Sequence, residues 1–307
     1  MTIRQHGLPV TASTYQIVLV KPAGFGPAEP FREVMESVQH GLQTLGYGAQ
    51  ILENTIMPSA TPILFGAHYL SRDDALRLPP ETIIYNLEQL APGYPWFQAH
   101  YLELLKRFRI WDYNWNTVNY LRTSGISSKV VHVPIAHAPC LTRIPRAREE
   151  DVDVLFYGIQ TARRLRILQA LGNAGLNVVA LNSVWGKDRD HWIARSKVVL
   201  SMHQADSGTF EVVRVMFLLA NSRPVVCEVA DVTTIDASFA GAFVPARYDE
   251  LVESCLIVAR NPGLRAHLQE AGARSLQAPH LQASRIVARA LAESAKLPNI
   301  MSIAGQA

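Results

Sequence analysis

Residues 152–166 read Val152-Asp153-Val154-Leu155-Phe156-Tyr157-Gly158-Ile159-Gln160-Thr161-Ala162-Arg163-Arg164-Leu165-Arg166. The apolar run Val152–Tyr157 predicts a buried strand. Gly158 lets the chain turn sharply at its end, and a helix begins near Ala162. Strand, glycine turn and helix form the repeating unit of a parallel α/β sheet. The first turn of that helix has unpaired backbone N–H groups, and Arg163 and Arg164 add two guanidinium groups at the same spot. That combination suits an anion, most plausibly a phosphate or diphosphate. Arg166 reads as a solvated helix face. Tyr157, closing the strand, and Trp185, further on, offer rings on which a base could stack, although aromatic residues in α/β proteins are more often core.

The same alternation extends in both directions. Upstream, strands are expected at Tyr15–Val20, Ala49–Glu53, Pro62–Phe65, Thr82–Tyr85, Arg109–Trp111 and Lys129–Val133. Phe31, Val34, Met35, Val38, Leu42 and Leu45 recur at helical spacing, with Gly46 placed as a C-terminal cap. Tyr101–Phe108 and Trp115–Arg122 are helical in pattern. Ala138–Glu150, with Pro139 and Pro145 among closely spaced charges, reads as a linker. Downstream, strands are expected at Asn177–Leu181, Lys197–Met202 and Pro224–Cys227. Helices are expected at Ala162–Ala174, Asp190–Ser196, Glu211–Asn221, Tyr248–Asn261, Gly263–Ser275 and Gln282–Ser294. The reading is an α/β fold of two Rossmann-like doubly wound parallel-sheet domains facing each other across a cleft. Residues 1–138 form one domain and 139–307 the other, with the last helix packing back on the first.

With 307 residues and 49% hydrophobic composition, each half can bury a core. Lys and Arg number 29 against 26 Asp and Glu, and no basic block interleaves with aromatics, so nucleic acid is a poor partner. Cys140, Cys227 and Cys255 are odd in number and far apart, which predicts a reducing, cytoplasmic setting without disulfides. Residues 1–14 predict no signal peptide, and the apolar run near Val212–Ala220 is too short to span a bilayer, though peripheral membrane contact stays open. No Cys/His cluster points to a metal. The triplets Asp151-Val152-Asp153 and Asp188-Arg189-Asp190 lie before a strand and in a polar loop, so both read as chance.

The helix over Glu211–Asn221 is apolar nearly all round, which predicts burial. Its charges, Glu211 and Arg214, stand three residues apart on the first turn. A cation there opposes the helix dipole, so a buried Arg214 needs Glu211 or a ligand anion as partner. His203 ends the strand Lys197–Met202, on the edge where parallel sheets bind ligands. In the first half, Gly24 and Gly26 follow the first strand without a GxGxxG pattern; they serve a tight turn or a close approach to ligand. Asn86, Glu88 and Gln89 leave a strand together and suit sugar hydroxyls, as does Tyr113 in Trp111–Asn116.

These motifs together resemble GT-B-fold glycosyltransferases, and within them the CgeB-like group. The resemblance spans roughly Tyr15 to Leu291. It is carried by Ile110-Trp111-Asp112-Tyr113-Asn114 with Asn119 and Gly125, and by Val131-His132-Val133-Pro134. Phe156-Tyr157-Gly158 with Arg163-Arg164, and Ser196–His203, continue it. Phe210-Glu211 with Arg214, Leu219-Ala220-Asn221 and Pro224-Val225-Val226 complete it. The resemblance implies a nucleoside-diphosphate-sugar donor in the C-terminal half, an acceptor in the N-terminal half, and no metal or other cofactor. Gly158, Arg163 and Arg164 would lie near the donor diphosphate, with His203, Glu211 and Arg214 lining the donor site. Many retaining relatives carry a glutamate where this chain has Phe217, so the paired-glutamate signature is missing. An inverting reaction needs a base, for which Glu88 and His68 are the choices; a retaining one does not. A GT-B-like binding or partner subunit with weak catalysis and a nucleotide-sugar epimerase are the alternatives.

Overall fold

The computed structural model describes residues 14–22, 30–90, 97–145, 147–204, 209–231 and 233–297. The chain divides into two units, one of Met1–Ala138 with His280–Ala307, the other of Pro139–Pro279.

The first unit contains β1 (Thr14–Leu19), α1 (Arg32–Thr44), β2 (Gly48–Glu53), β3 (Thr61–Phe65), α2 (Arg72–Leu76), β4 (Ile83–Asn86), α3 (Ala99–Arg107), β5 (Arg109–Asp112), α4 (Trp115–Thr123) and β6 (Val130–His132). Its strands form one sheet in the order β2-β1-β3-β4-β5-β6, every pair parallel. β1, β3 and β4 are short apolar runs because helices cover a parallel sheet on both faces. Their residues Val18, Leu64 and Ile84 meet Leu105, Phe108 and Val118 in one core. Gly46, at φ 86°, ends α1 in the left-handed conformation, as its place in the sequence predicts. The link from β2 to β3 carries no helix. Gln16, buried within β1, holds it by donating to Met57 O at 2.8 Å and Ala60 O at 2.7 Å. α2 was not legible from periodicity; Ser71 starts it by accepting from the Asp74 N–H at 3.1 Å, with Asp73 and Asp74 on the positive end of the helix.

The second unit contains β7 (Val152–Tyr157), α5 (Ala162–Asn173), β8 (Val178–Leu181), α6 (Gly186–Arg195), β9 (Ser196–Ser201), α7 (Val212–Ala220), β10 (Val225–Glu228), β11 (Val244–Ala246), α8 (Leu251–Arg260) and α9 (Pro262–Ser275). The order is β11-β10-β9-β7-β8, again parallel throughout. α7 is a core helix: Val215 to Ala220 are all buried. α9 approaches it closely, since a Cβ on Gly272 would stand only 2.9 Å from Leu219 Cδ2. Within the stretch expected as a linker, Leu141–Ile144 are held against the second unit. Leu141 and Ile144 are buried. Asn221, at the end of α7, accepts from the N–H groups of Arg143 and Ile144 at 2.8 and 2.7 Å and donates to Leu141 O at 2.9 Å.

The chain returns to the first unit as α10 (Ala283–Ala295). The return is anchored by paired backbone bonds, His137 N–H to Leu281 O at 2.7 Å and Ala283 N–H to His137 O at 2.9 Å. α10 then lies against α1 across Gly41, where a Cβ would meet Val287 Cγ2 at 2.7 Å and Ala283 O at 2.8 Å. Trp111 Nε1 donates to Ser294 Oγ at 2.9 Å. Among the described residues, no helix is long and apolar enough to cross a membrane.

Candidate functional site

Each sheet reverses its order of growth once, between β1 and β3 in the first unit and between β7 and β9 in the second. The carboxyl ends of the strands at such a point leave a crevice for ligand.

In the second unit Gly158 leaves β7 at φ 138°, outside the range that suits other residues. A Cβ there would lie 3.5 Å from Arg214 Nη2 and 3.6 Å from Arg164 Nη1. Two guanidinium groups, from α7 and α5, thus converge on a backbone position without a side chain. α5 begins beside them, capped by Thr161, whose Oγ1 accepts from the Arg164 N–H at 3.4 Å.

The adjacent arginines that read as a joint anion grip are a structural latch. Arg163 forms a two-pronged ion pair with Glu228, one bond at 2.8 Å, and lies 3.9 Å from the centre of the Tyr248 ring. Arg164 is 4% exposed. Its Nε donates to His203 O at 3.2 Å, its Nη1 to Ile159 O at 2.9 Å, and its Nη2 to Met202 O. Burial and the neighbouring Arg214 push its guanidinium down to about 10. The latch ties the β7–α5 turn to the ends of β9 and β10.

Arg214 is different. Its Nη1 is buried and has no hydrogen-bond partner. No ion pair joins it to Glu211 among the described residues; Glu211 stands at the helix start as the N-cap position. The Arg214 guanidinium carbon lies 4.7 Å from the Tyr157 ring centre. His203 is also buried, with Nε2 lacking a partner, while its backbone N–H donates to Glu228 at 2.9 Å. Buried polar atoms normally find partners, so these two make the switch point a candidate ligand site. Trp185, half-buried, precedes α6 on the carboxyl side of β8, one strand away. Phe217 is a core residue, with the guanidinium groups of Arg143 and Arg189 at 5.2 and 4.5 Å from its ring. The two Asp-x-Asp triplets are held in ion pairs: Asp151 with Arg195, Asp153 with Lys197, and Asp190 with Arg189 and Arg143. No group of three or more ligating side chains suits a metal among the described residues.

In the first unit the ends of β3, β4 and β5 bring His68, Glu88, Asn86 and Asp112 together. Gly66 turns the chain after β3 at φ 73°, and His68 follows in a 3-10 turn over Ala67–Tyr69. His68 is buried against Tyr69, its Nε2 3.7 Å from Glu88 Oε1. Burial, with His100 nearby, pushes His68 down to about 4, so its imidazole is neutral. Burial pushes the Glu88 carboxyl up to about 7. Asn86, expected at the acceptor, is 1% exposed and engaged at every polar position, so it builds the site and does not face it. Gln89 is half-buried on the same segment. Tyr113 is half-buried, its carbonyl within 3.1 Å of His132 Nε2. Gly24 and Gly26 lie outside the described residues.

No family model matches the chain. An uncharacterized protein of Acanthamoeba polyphaga mimivirus is 25% identical over 184 residues, 58% of this chain and 58% of that protein. The chain thus matches little more than half the length of that relative. Among solved structures, Anabaena HepE in complex with UDP and glucose superposes with a TM-score of 0.58 at 8% identity, covering 92% of this chain and 99% of that one. A glycosyltransferase from Rickettsia africae gives 0.52 at 12% identity, with 91% and 97% covered. A T4 phage BGT variant in complex with UDP-glucose gives 0.52 at 11%, with 92% and 100% covered. The likeness is one of fold.

Two site residues escaped the sequence reading, and both close an apolar strand with an acid. Glu228 ends β10 and holds Arg163; Asp112 ends β5, fully buried. A carboxylate at the last position of a buried parallel strand is the signal that could have found them, because that position faces the ligand edge.

Proposed function

We propose that the protein is a glycosyltransferase, moving a sugar from a nucleoside diphosphate to an acceptor hydroxyl. The observation that carries this reading is Arg214, a half-buried residue whose Nη1 is buried and unengaged, beside Gly158 and the start of α5. A diphosphate satisfies that nitrogen. As the sugar leaves, negative charge grows on the diphosphate, and a preorganised cation with a helix N-terminus stabilises it without a divalent ion. His203 Nε2 is a second buried atom that a donor oxygen would satisfy. Tyr157 is buried, with the Arg214 and Arg189 guanidinium groups against its ring, and so supports Arg214.

Glu88 suits the base of an inverting reaction. A carboxyl pushed up to about 7 is both ionised in part and basic enough near neutral pH to take the proton of an attacking hydroxyl. The neutral imidazole of His68 lies beside it. The fold shared with proteins solved with UDP and with UDP-glucose supports a nucleotide sugar as the donor. Membership of the CgeB-like group and a cytoplasmic setting belong to this proposal.

A second reading, a donor-binding subunit without turnover, is favoured by Phe217, which is core where a ribose-binding glutamate would be expected. Calorimetric titration of a nucleoside-diphosphate panel, followed by release of nucleoside diphosphate from the matching sugar, separates the two. We expect one diphosphate to bind and Arg214→Met to weaken it about 10- to 100-fold, the worth of a charge-assisted hydrogen bond. Slow hydrolysis marks a transferase, and binding without hydrolysis marks the subunit. Absence of binding by the unaltered protein at millimolar ligand refutes both.

A further inference from the structure

We propose that Asp112 and Asn86 are positioning residues that clamp Glu88 at the carboxyl end of β4. The inference rests on Glu88 being the base of the proposed transfer.

Asn86 and Asp112 are register partners, the last residues of neighbouring parallel strands. Asn86 Nδ2 donates to Glu88 O at 2.8 Å and to Asp112 Oδ2 at 2.6 Å. Asn86 Oδ1 accepts from the Glu88 N–H at 3.2 Å and from the Tyr101 hydroxyl at 2.8 Å. One amide side chain thus holds both backbone polar groups of Glu88, and its own donors and acceptor are fully occupied. Asp112 fixes which way that amide points. Its Oδ2 takes the Asn86 N–H, and its Oδ1 takes the Asn114 N–H at 2.8 Å. Turning the Asn86 amide over would set its Nδ2 against the Glu88 N–H, donor against donor. The acid is 0% exposed, and burial pushes its carboxyl up to about 8. Burying a carboxyl is costly, and here it locks the orientation of one neighbour.

The consequence for Glu88 is a fixed exit from the strand. Its carboxyl is turned toward His68 of the β3 turn. Tyr69 on that turn and Tyr101 of α3 feel its charge, and the charge of His100 of α3 acts on His68. A clamp of this kind keeps the carboxyl partly desolvated, which is what makes it basic.

The test uses Asp112→Asn and Tyr101→Phe in the full chain. An asparagine at 112 must set an N–H against either Asn86 or Asn114. Phenylalanine at 101 frees Asn86 Oδ1 of one bond without altering any charge. Glu88 is followed directly by carbon-13 carboxyl titration, assigned with Glu88→Gln. Folding is checked by melting, donor binding by calorimetry with UDP, and turnover by donor hydrolysis. The clamp predicts that both variants bind UDP as the unaltered protein does. It predicts that Glu88 falls from about 7 toward the ordinary carboxylate range in both. Hydrolysis kcat then drops about tenfold with KM unchanged. A folded Asp112→Asn protein whose Glu88 titrates as before overturns the proposal. So does a shift in Asp112→Asn with none in Tyr101→Phe, since Asp112 would then act through its charge alone. Failure of UDP to bind the unaltered protein strikes the transferase reading, while the titration still decides the clamp.

Discussion

Replacing Arg214 with methionine should make the ligand-free protein more stable while destroying its response to a nucleoside diphosphate. In the free protein Arg214 Nη1 is buried and unpartnered. A buried donor without an acceptor costs about 1–3 kcal/mol. Methionine keeps the aliphatic stem and removes the donor. What it gives up is the guanidinium contact with Tyr157 at 4.7 Å, worth about 0.5–2 kcal/mol; a thioether beside the same ring recovers part of that. The balance is a gain of about 1 kcal/mol, or roughly 2–4 °C in melting temperature for a chain of this size. Differential scanning calorimetry is the suitable assay, because it reveals whether the two units melt together or apart. With ligand at about 100 times its Kd, the unaltered protein should gain about 2.7 kcal/mol, and the variant far less. The two curves should therefore cross as UDP is added. A variant less stable than the unaltered protein by about 1 kcal/mol or more without ligand would refute the reasoning, because Arg214 would then be a satisfied core group.

Gly158→Ala should lose diphosphate binding by about tenfold or more and destabilise the second unit by about 1–3 kcal/mol. Its φ is 138°, which strains any residue with a Cβ, and a methyl group would stand in van der Waals contact with Arg214 and Arg164, on the spot where a phosphate is expected; thermal melting and calorimetric titration check the two effects. Gly41→Ala should lower the stability of the first unit by about 1–3 kcal/mol without touching UDP affinity. A Cβ there would press on the backbone carbonyl of Ala283, and limited proteolysis should show α10 released first. pH should act on the first unit through its buried carboxyls. Asp112 and Glu88 are pushed up to about 8 and about 7, so the folded state holds their protons more tightly than the unfolded chain. Their contribution is complete below the ordinary carboxylate range, near pH 4, and is lost as pH rises through 7 and 8. His68, pushed down to about 4, acts in reverse: its contribution is present above about pH 6.5 and is lost as pH falls through 4. Of these three groups, the carboxyls alone operate between pH 6.5 and 8.5. Denaturant melts across that window should show stability falling, and Asp112→Asn should flatten the fall.

The strands were legible because a parallel sheet buried on both faces writes itself as short apolar runs. Ile17–Val20, Pro62–Phe65 and Val152–Tyr157 could hardly be anything else. The carboxyl ends of β7 and β9 were legible too, as Gly158 and His203 follow runs of that kind. α2 was hidden by its length: five residues show no period, and only the Ser71 cap announces it. The anchoring of Leu141–Ile144 was hidden within the expected linker because it comes from Asn221, at the end of α7. The latch was hidden for a similar reason. Glu228, which holds Arg163, stands 65 residues later. The oddity of Arg214 was legible because it is local: a cation in the first turn of an oily helix needs a partner, and no ion pair joins it to Glu211 among the described residues. The clamp on Glu88 was out of reach, since it depends on β4 and β5 ending at the same level, a fact of register.

The central claim is that the β7–β9 switch point of the second unit holds a diphosphate through Arg214. A groove of about 420 Å³ with Arg148 and Arg195 on its walls, beside Asp151 at the amino end of β7, offers the obvious rival location. A crystal structure of the protein with UDP decides between them. The account predicts phosphate oxygens within hydrogen-bonding distance of Arg214 Nη1 and of the backbone after Gly158. Phosphates resting against Arg148, with Arg214 Nη1 still bare, would contradict it.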